Sequence, residues 1–373
     1  MIDVKEISSK KELKKFVQFP FSLYKDSKYW VPPVISDELN SFDKTINPAF
    51  ENAEVWFYLA YKGNEIAGRI AVIINWHEIK ELNIEKIRYG WFDFIDDLEV
   101  SKALLEKVFE KGKEKNLDFA EGPMGFSNMD KVGVLVEGFD HISSMITWYN
   151  HPYYKDHLEK LGFSVEKEFI ESEFSFDNVQ NKDVFYKADK LIRERYNLKP
   201  LNFKTTAEVL PYINKMFDLF NKSYASLSSF VPVTERQKEY FKKKYVGMVN
   251  PEYIKYVVDK NDELVAFSIV MPSFSLASQK AKGKLFPFGF LHFLKAKKNA
   301  DTVLFYLIGI DPEYQNKGVT AIIFKEYYET FKKFGVKHCI QTPELVDNKA
   351  IQNLWKNFDP VIYARRRTYR KDL

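Results

Sequence analysis

Residues 303–342 read VLFYLIGIDPEYQNKGVTAIIFKEYYETFKKFGVKHCIQT. The first eight residues form an apolar run typical of a buried strand, and the last seven contain a second such run. Between them lie a polar turn with one glycine and an amphipathic segment that stops at Gly335, as a helix does. A strand, a helix and a second strand in this order favour two parallel strands, and hence an α/β protein with a mixed sheet.

The same order of segments occurs in the first half of the chain, in YGWFDFIDD, LEVSKALLEKVFEKGKEKN and LDFAEGPM. Each half also contains a predicted β-hairpin, folded about KGNE in the first half and about KNDE in the second. Each half opens with a strand and a helix and closes with a short helix and a strand. The repeat predicts two similar domains at residues 1–177 and 198–373, joined by a linker helix at 178–197.

The totals restrict the class of protein. The 373 residues include 56 basic and 52 acidic side chains, for a net charge of +4, and one cysteine, Cys339. A charge so near balance makes nucleic acid an unlikely partner, and a single cysteine allows neither an internal disulfide nor a cysteine zinc cluster. Neither a signal peptide nor an apolar run of membrane-spanning length is found. We therefore expect a cytoplasmic protein with no membrane partner and no metal.

The order of segments, with the turn Gln315-Asn316-Lys317-Gly318-Val319-Thr320, resembles the GNAT superfamily of acyl-CoA-dependent N-acyltransferases. Because the plan occurs twice, the chain resembles a tandem GNAT protein. The segments GPMGFSNMDKVGVLVEGFD and HPYYKDHLEKLGF resemble, more narrowly, the YghO-like family of tandem proteins. The resemblance implies transfer of an acetyl or other acyl group from acyl-CoA to an amine of a small molecule or peptide.

The resemblance also implies which residues bind the acyl-CoA. A helix N-terminus offers unpaired N–H groups to a pyrophosphate, glycine allows a close approach, and Lys317 adds positive charge. A backbone N–H between Gly309 and Asp311 would polarise the thioester carbonyl. The predicted cofactor-binding residues are Ile308, Ile310, Gln315, Asn316, Lys317, Gly318, Val319, Thr320 and Asn348.

Three positions depart from the GNAT pattern. Thr320 replaces a smaller residue of the turn. Trp355 stands about where many GNAT enzymes have a tyrosine that protonates the departing thiolate, and an indole N–H is a poor acid. In the first half, Asp96 and Asp97 stand in place of the glycine turn and would repel a pyrophosphate, which predicts a degenerate first domain.

Two residues are candidates for catalysis. Glu344 follows the last strand of the quoted stretch and is either the general base that the amine needs or a surface carboxylate. Tyr306 is the nearest hydroxyl that could replace the missing tyrosine as an acid.

Several alternatives stay open at this stage. The protein could be a non-catalytic ligand-binding tandem GNAT protein, or a Fem-type aminoacyltransferase that uses aminoacyl-tRNA. The aromatic segment 284–298 is either a lid over a substrate or a tightly packed loop. The run Arg365-Arg366-Arg367 is interpreted as a charged, exposed edge strand, and the oligomeric state is not predicted.

Overall fold

A computed structural model describes residues 1–127, 129–179, 183–227 and 230–373. The chain forms two compact units. The first unit contains Met1–Ile170, Ser275–His292 and Tyr363–Leu373, and the second contains Glu171–Phe274 and Phe293–Ile362. Neither unit is one continuous segment, whereas the boundaries 1–177 and 198–373 follow the sequence repeat and stay a prediction. Residues 180–182 of the predicted linker lie outside the described residues.

The first half of the chain follows the predicted order of strands and helices. Its elements, in chain order, are β1 (Ile2–Glu6), α1 (Lys10–Leu23), α2 (Ile35–Ser41), β2 (Ala53–Lys62), β3 (Glu65–Asn75), α3 (Trp76–Leu82), β4 (Lys86–Phe94), α4 (Leu98–Glu114), β5 (Phe119–Gly122), β6 (Val134–Glu137), α5 (Tyr153–Lys160) and β7 (Ser164–Phe174).

The rest of the chain repeats that order with additions. Its elements are α6 (Asp183–Tyr196), β8 (Lys199–Asn202), α7 (Thr206–Val209), α8 (Ile213–Tyr224), α9 (Glu235–Tyr245), β9 (Ile254–Val258), β10 (Leu264–Pro272), α10 (Ser275–Ala281), α11 (Gly289–Asn299), β11 (Thr302–Ile310), α12 (Thr320–Phe334), β12 (His338–Gln341), β13 (Glu344–Leu345), α13 (Lys349–Trp355) and β14 (Val361–Asp372).

The sheet of the first unit has the strand order β1-β2-β3-β4-β5-β14-β7, with β6 paired to β14. Strands β2 and β3 form the predicted hairpin, and Gly63 in its turn has a positive φ of 63°, which glycine adopts without strain. The pair β4 and β5 is parallel, as the strand–helix–strand pattern predicts. Helix α4 packs its apolar face against this sheet and buries Val100, Leu104 and Val108.

The sheet of the second unit has the order β7-β12-β11-β10-β9-β8, with β13 paired to β7. Strands β9 and β10 form the second predicted hairpin, and β11 is parallel to β12. Helix α12 buries Ile322, Ile323 and Phe331 and ends at Gly335, whose φ of 71° closes the helix in the left-handed conformation. Helix α6, which covers most of the predicted linker, packs against α12.

The last strand corrects one prediction. β14 pairs with β5 through Tyr369–Asp372 and with β6 through Arg365–Arg367, so the interpretation of the arginine run as an exposed edge strand is wrong. Arg365 and Arg367 both bond Glu168, at 2.9 and 2.7 Å, as expected for alternate residues on one face. Arg366 points to the other face, where it is buried and donates to the carbonyl of Trp148.

Candidate functional site

The two parallel strands of the second unit separate halfway along β11. Residues Thr302–Phe305 pair with His338–Gln341, and β12 ends there, whereas β11 continues to Ile310. Strand β10 stays paired with β11 along this extension. A gap therefore opens on one side of residues 307–310, where no strand among the described residues pairs with β11.

The hydrogen-bonding pattern shows which amides face the gap. The amide of Asp311 donates to the carbonyl of Val265 at 2.9 Å, towards β10. Because amides of an antiparallel pair alternate in direction, those of Ile310 and Ile308 point away from β10. Over the residues that the structure describes, neither amide has an acceptor. Within the predicted stretch Gly309–Asp311, the amide of Ile310 is thus the one that faces the gap.

Glu344 lies at the start of β13, with its carboxyl group shielded from solvent. Its Oε1 accepts a hydrogen bond of 2.7 Å from the indole N–H of Trp355. Burial raises the pKa of Glu344 to about 7, and the bond from Trp355 opposes part of that rise. A carboxyl group with this pKa is half ionised near neutrality and can accept or donate a proton, which an ordinary surface carboxylate does not do at that pH.

Trp355 is a core residue at the end of α13. Its side chain is 2% exposed and its rings lie 5.4, 5.0 and 5.5 Å, between centroids, from those of Phe174, Phe305 and Phe324. The indole thus fills the core and holds the Glu344 carboxyl. A smaller tyrosine here would leave a cavity, which costs stability.

Tyr224, at the end of α8, was not predicted from the sequence. Its hydroxyl donates to the carbonyl oxygen of Ile308 at 3.0 Å. Burial raises the pKa of Tyr224 to about 12, and the charge of Glu344 adds to the rise. Tyr224 is therefore bonded to the gap-facing part of β11 and lies within electrostatic range of Glu344. No local pattern could reveal it, since Tyr224 and Ile308 are distant in the chain.

The polar turn lies between β11 and α12. Gly318 has a φ of 77°, in the region that favours glycine, and an added Cβ would lie 3.2 Å from Cδ1 of Ile192. The amide of Lys317 already donates to the carbonyl of Tyr314 at 3.3 Å. Within the described residues, the neighbouring amides have no acceptor: Asn316, Gly318, Val319 and Thr320.

The side chains of the turn between β11 and α12 differ in their surroundings. The ammonium group of Lys317 lies 5.4 Å from the ring centre of Tyr196 and 5.1 Å from that of Tyr314. Gln315 Nε2 donates to the carbonyl of Ile310 at 3.4 Å, and the side chain of Val319 is buried. At Val319, therefore, the backbone is available to a ligand and the side chain is not.

The remaining predicted residues lie at the start of α13 and on β11. Asn348 caps α13 by accepting from the amide of Ile351 at 3.3 Å, as expected for a residue that starts a helix. Tyr306 occupies a bulge, because the pairing of β11 with β10 skips it between Phe305 and Leu307. Its ring centre is 6.5 Å from that of Tyr245. The acid role of Tyr306 stays a prediction.

The first unit has the same strand geometry, but its own side chains bond the amides that correspond to the gap and to the helix start. Ile95 donates to the carbonyl of Ala67 at 2.9 Å, as Asp311 does to Val265, so Phe94 corresponds to Ile310. The amide of Phe94 donates to the hydroxyl of Tyr154 at 3.1 Å. At the helix start, the carboxylate of Asp97 accepts from the amide of Glu99 at 3.0 Å. Protein groups thus occupy positions that are open in the second unit.

Histidines of the first half take part in internal bonds. His157 lies 2.9 Å from Ser101 Oγ and 3.0 Å from Asp96 Oδ1, and both His157 and Ser101 are buried. A buried serine cannot reach a substrate, so this trio stabilises the packing of α5 on α4. Among the described residues, no group of three or more potential ligands is arranged to hold a metal ion.

Comparison with known proteins supports the fold. The chain is 25% identical to "Protein YghO" of Escherichia coli over 99% of this chain and 95% of that protein. It is 22% identical to "Bacterial ceramide synthase" of Caulobacter vibrioides over 100% and 98% of the two chains. No protein-family model matches the chain.

Solved structures agree over the full chain. A tandem GNAT protein from the clavulanic acid biosynthesis pathway superposes with a TM-score of 0.58 at 9% identity, over 100% of this chain and 98% of that one. A GCN5-related N-acetyltransferase from Sphaerobacter thermophilus gives 0.52 at 9% identity, over 100% and 95%. Among the described residues, no helix is long and apolar enough to cross a membrane. The protein thus has a tandem GNAT fold, the fold of the GNAT N-acyltransferases, and is similar to YghO along its whole length.

Proposed function

We propose that the protein transfers an acyl group from acyl-CoA to an amine in its second unit. The observation that carries the proposal is the gap between β11 and β12. Amides of Ile308 and Ile310 face it, Tyr224 donates to the carbonyl of Ile308, and the charge of Glu344, a carboxyl group with a pKa of about 7, acts on Tyr224. Amides that polarise a carbonyl and a base poised at neutral pH are the two groups that aminolysis of a thioester needs.

The acyl-CoA would lie along the gap. The unpaired amides of the turn, at Asn316 and Gly318–Thr320, suit the pyrophosphate, because several N–H groups and the positive end of α12 face the same region. The amide of Ile310 would then donate to the thioester carbonyl oxygen. Lys317 adds positive charge at the turn, where its ammonium group lies over the rings of Tyr196 and Tyr314.

Glu344 is suited both to accept a proton from the amine and to donate it to the departing thiolate. The neutral amine attacks the thioester carbonyl carbon, and the bond from carbon to sulfur breaks as the amide forms. The nitrogen loses its proton to Glu344, directly or through one water. Because the pKa of a thiol is about 8.5, the protonated Glu344 can return this proton to the departing thiolate. Neither Trp355 nor another acid is then required.

The acceptor amine is a finer part of the proposal. A ceramide is the amide of a long-chain amino alcohol, so the name of the Caulobacter relative supports an acceptor of this class for the present chain. Small polar amines and peptide amines are the alternatives, and an acceptor panel separates them. The environment of Glu344 favours an enzyme over a non-catalytic binding protein, because a buried carboxyl group costs stability that mere ligand binding does not require.

Titration calorimetry with CoA tests the donor. We expect one site per chain, in the second unit. Two equal sites would contradict the closed first unit, and no binding would contradict the use of CoA. Turnover is then measured as thiol release from acetyl-CoA and longer acyl-CoA with each acceptor. CoA binding without turnover for any amine would favour the binding protein, and transfer from aminoacyl-tRNA without CoA binding would favour the Fem-type enzyme.

A further inference from the structure

The segment from α10 through α11 exposes an unusual amount of apolar surface. Phe286 and Phe288 are 79% and 70% exposed, in the connection between the two helices. Exposed large apolar side chains continue on both sides of them: Leu276, Phe290, Leu291 and Leu294. Of the two alternatives left open for residues 284–298, a lid or a tightly packed loop, the second does not agree with this exposure. Contiguous apolar groups in contact with water usually mark a surface that another molecule covers.

The same segment is strongly basic. The sequence contains no aspartate or glutamate between Glu263 and Asp301. Within that interval, five exposed lysines flank the apolar side chains: Lys280, Lys282, Lys284, Lys295 and Lys298. Positive charge around projecting phenylalanine and leucine side chains is the composition of segments that lie in the interface of an anionic bilayer.

The base of the segment is firmly held, although its tip is exposed. Ser278 Oγ donates to the carbonyl of Pro32 at 2.7 Å, and Gln279 Nε2 donates to the carbonyls of Lys28 and Trp30 at 2.9 Å. By contrast, α11 has no buried residue in its eleven positions. A helix with apolar residues on its exposed side and little core of its own is stable only if that side finds an apolar environment.

We propose that residues 276–298 dock the protein on the surface of an anionic phospholipid membrane, with the phenylalanines inserted among the acyl chains. The charge favours a membrane over a second copy of this chain. A symmetric interface would bring the same basic segment of each copy together, and like charges repel. Docking of this kind needs no membrane-spanning helix, and the inference rests on this surface, independently of the proposed function.

Vesicle flotation tests the proposal with the full chain and no CoA. We expect the protein to float with vesicles of phosphatidylcholine and phosphatidylglycerol and to remain largely unbound with phosphatidylcholine alone. Binding should weaken as salt is raised beyond about 0.15 M, because screening acts on exposed lysines. Failure to bind anionic vesicles at low salt overturns the proposal.

Two variant pairs locate the contact. Phe286→Ser with Phe288→Ser should weaken vesicle binding at least ten-fold, and Lys284→Glu with Lys298→Glu should weaken it several-fold. Matched controls change exposed apolar and exposed basic residues elsewhere: Val165→Ser with Leu210→Ser, and Lys10→Glu with Lys260→Glu. Equal losses in variants and controls would overturn the assignment to this segment.

A third variant reports insertion without removing apolar surface. Phe288→Trp should show quenching by brominated lipids well beyond that of the Leu210→Trp control. If the protein binds no vesicles but forms a dimer that Phe286→Ser with Phe288→Ser dissociates, the surface joins two copies and membrane docking is wrong. If acyl-CoA alone buries the indole introduced by Phe288→Trp, with no effect of vesicles, the segment is a substrate lid, which also overturns the proposal.

Discussion

The two halves of the chain share one backbone plan and differ in what occupies the edge of the central strand. In the second unit the amide of Ile310 faces a gap, and in the first unit the equivalent amide of Phe94 donates to the hydroxyl of Tyr154. Tyr154 also lies 2.8 Å from the hydroxyl of Tyr24, which donates to the buried Asp93 at 2.7 Å. In the first unit, the equivalent position is thus part of a buried hydrogen-bond network.

The turns before the long helices differ in the same way. In the first unit, Asp97 supplies the negative charge itself, since its carboxylate caps α4 and lies 2.7 Å from Lys62. In the second unit, α12 begins after Gly318, and no side chain among the described residues caps its first turn. A carboxylate at a helix N-terminus already neutralises the partial positive charge that would attract a bound anion.

The two units also differ in the residues that follow the parallel strands β5 and β12. A proline follows it in both halves, at Pro123 and Pro343, and the next residue is Met124 in the first and Glu344 in the second. A thioether cannot act as a base. The two halves thus share their strands and differ in the residues that the proposed mechanism uses.

The largest effect is expected from Glu344→Gln. The amide keeps the size of the side chain and can accept from Trp355, but it cannot take a proton from the amine. Turnover should fall by about 10²–10⁴-fold, with CoA affinity unchanged by calorimetry. In the unchanged protein, turnover should rise with pH through about 7, because the ionised carboxylate is the base.

The pH profile checks the assignment of Glu344 further. Glu344→Gln should lose the inflection near pH 7, while Glu263→Gln, an exposed carboxylate on the hairpin, should keep it. An unchanged rate for Glu344→Gln would remove this residue from the mechanism and weaken the contrast with Met124.

Gly318→Asp should make the open turn resemble the closed one. A carboxylate beside the proposed pyrophosphate should lower CoA affinity by roughly 100-fold, because two negative charges would lie a few ångströms apart. Gly318→Asn is the matched control, since asparagine has the same shape, tolerates a positive φ and carries no charge. Equal affinities of the two variants, measured by calorimetry, would show that the turn does not bind an anion.

Tyr224→Phe tests the link between the gap and Glu344. Without the hydroxyl, the carbonyl of Ile308 loses its donor and the gap-facing strand is held less firmly. Turnover should fall about ten-fold, which corresponds to roughly 1.4 kcal/mol in the barrier. Tyr212→Phe, whose ring packs against Phe203 and Tyr256, is the control. Similar rates for both variants would mean that Tyr224 is only a core residue.

The smallest effect is expected from a substitution at the start of α4 in the first unit. Asp97→Ala should lower the free energy of unfolding by about 1 kcal/mol through loss of the helix cap, with no change in CoA affinity. Asp97→Asn should retain most of that stability, because asparagine caps equally well. Since Lys62 holds the pKa of Asp97 below its usual range, the stabilisation by this pair is present at neutral pH and lost as pH falls through that lowered pKa. A loss of CoA binding in Asp97→Ala would contradict the closed first unit.

Much of the fold could be predicted because its signals are local. Hairpins, helix ends such as Gly335 and the strand–helix–strand repeat depend on neighbouring residues, and all of these are observed. Alternation along β14 also predicts which face each arginine takes. It carries no information on which strands lie beside β14, because a strand alternates in the same way at an edge and in the middle of a sheet.

The candidate site was less predictable for the same reason. Glu344 was visible in the sequence, but its pKa depends on the indole of Trp355 and on burial that only the folded chain provides. Tyr224 and Tyr154 act through backbone groups far away in sequence. Contacts of this kind have no periodicity and no fixed spacing, so residue patterns do not reveal them.

The membership of β14 in the first unit has a consequence for biosynthesis. Residues Tyr363–Leu373 complete a sheet whose other strands lie within the first 174 residues. The ribosome synthesises them long after β5 and β6, so these two strands stay unpaired on that side until this segment has been translated. A nascent chain in this state presents strand edges that can pair wrongly, and a chaperone that shields them during synthesis would raise the yield of native protein.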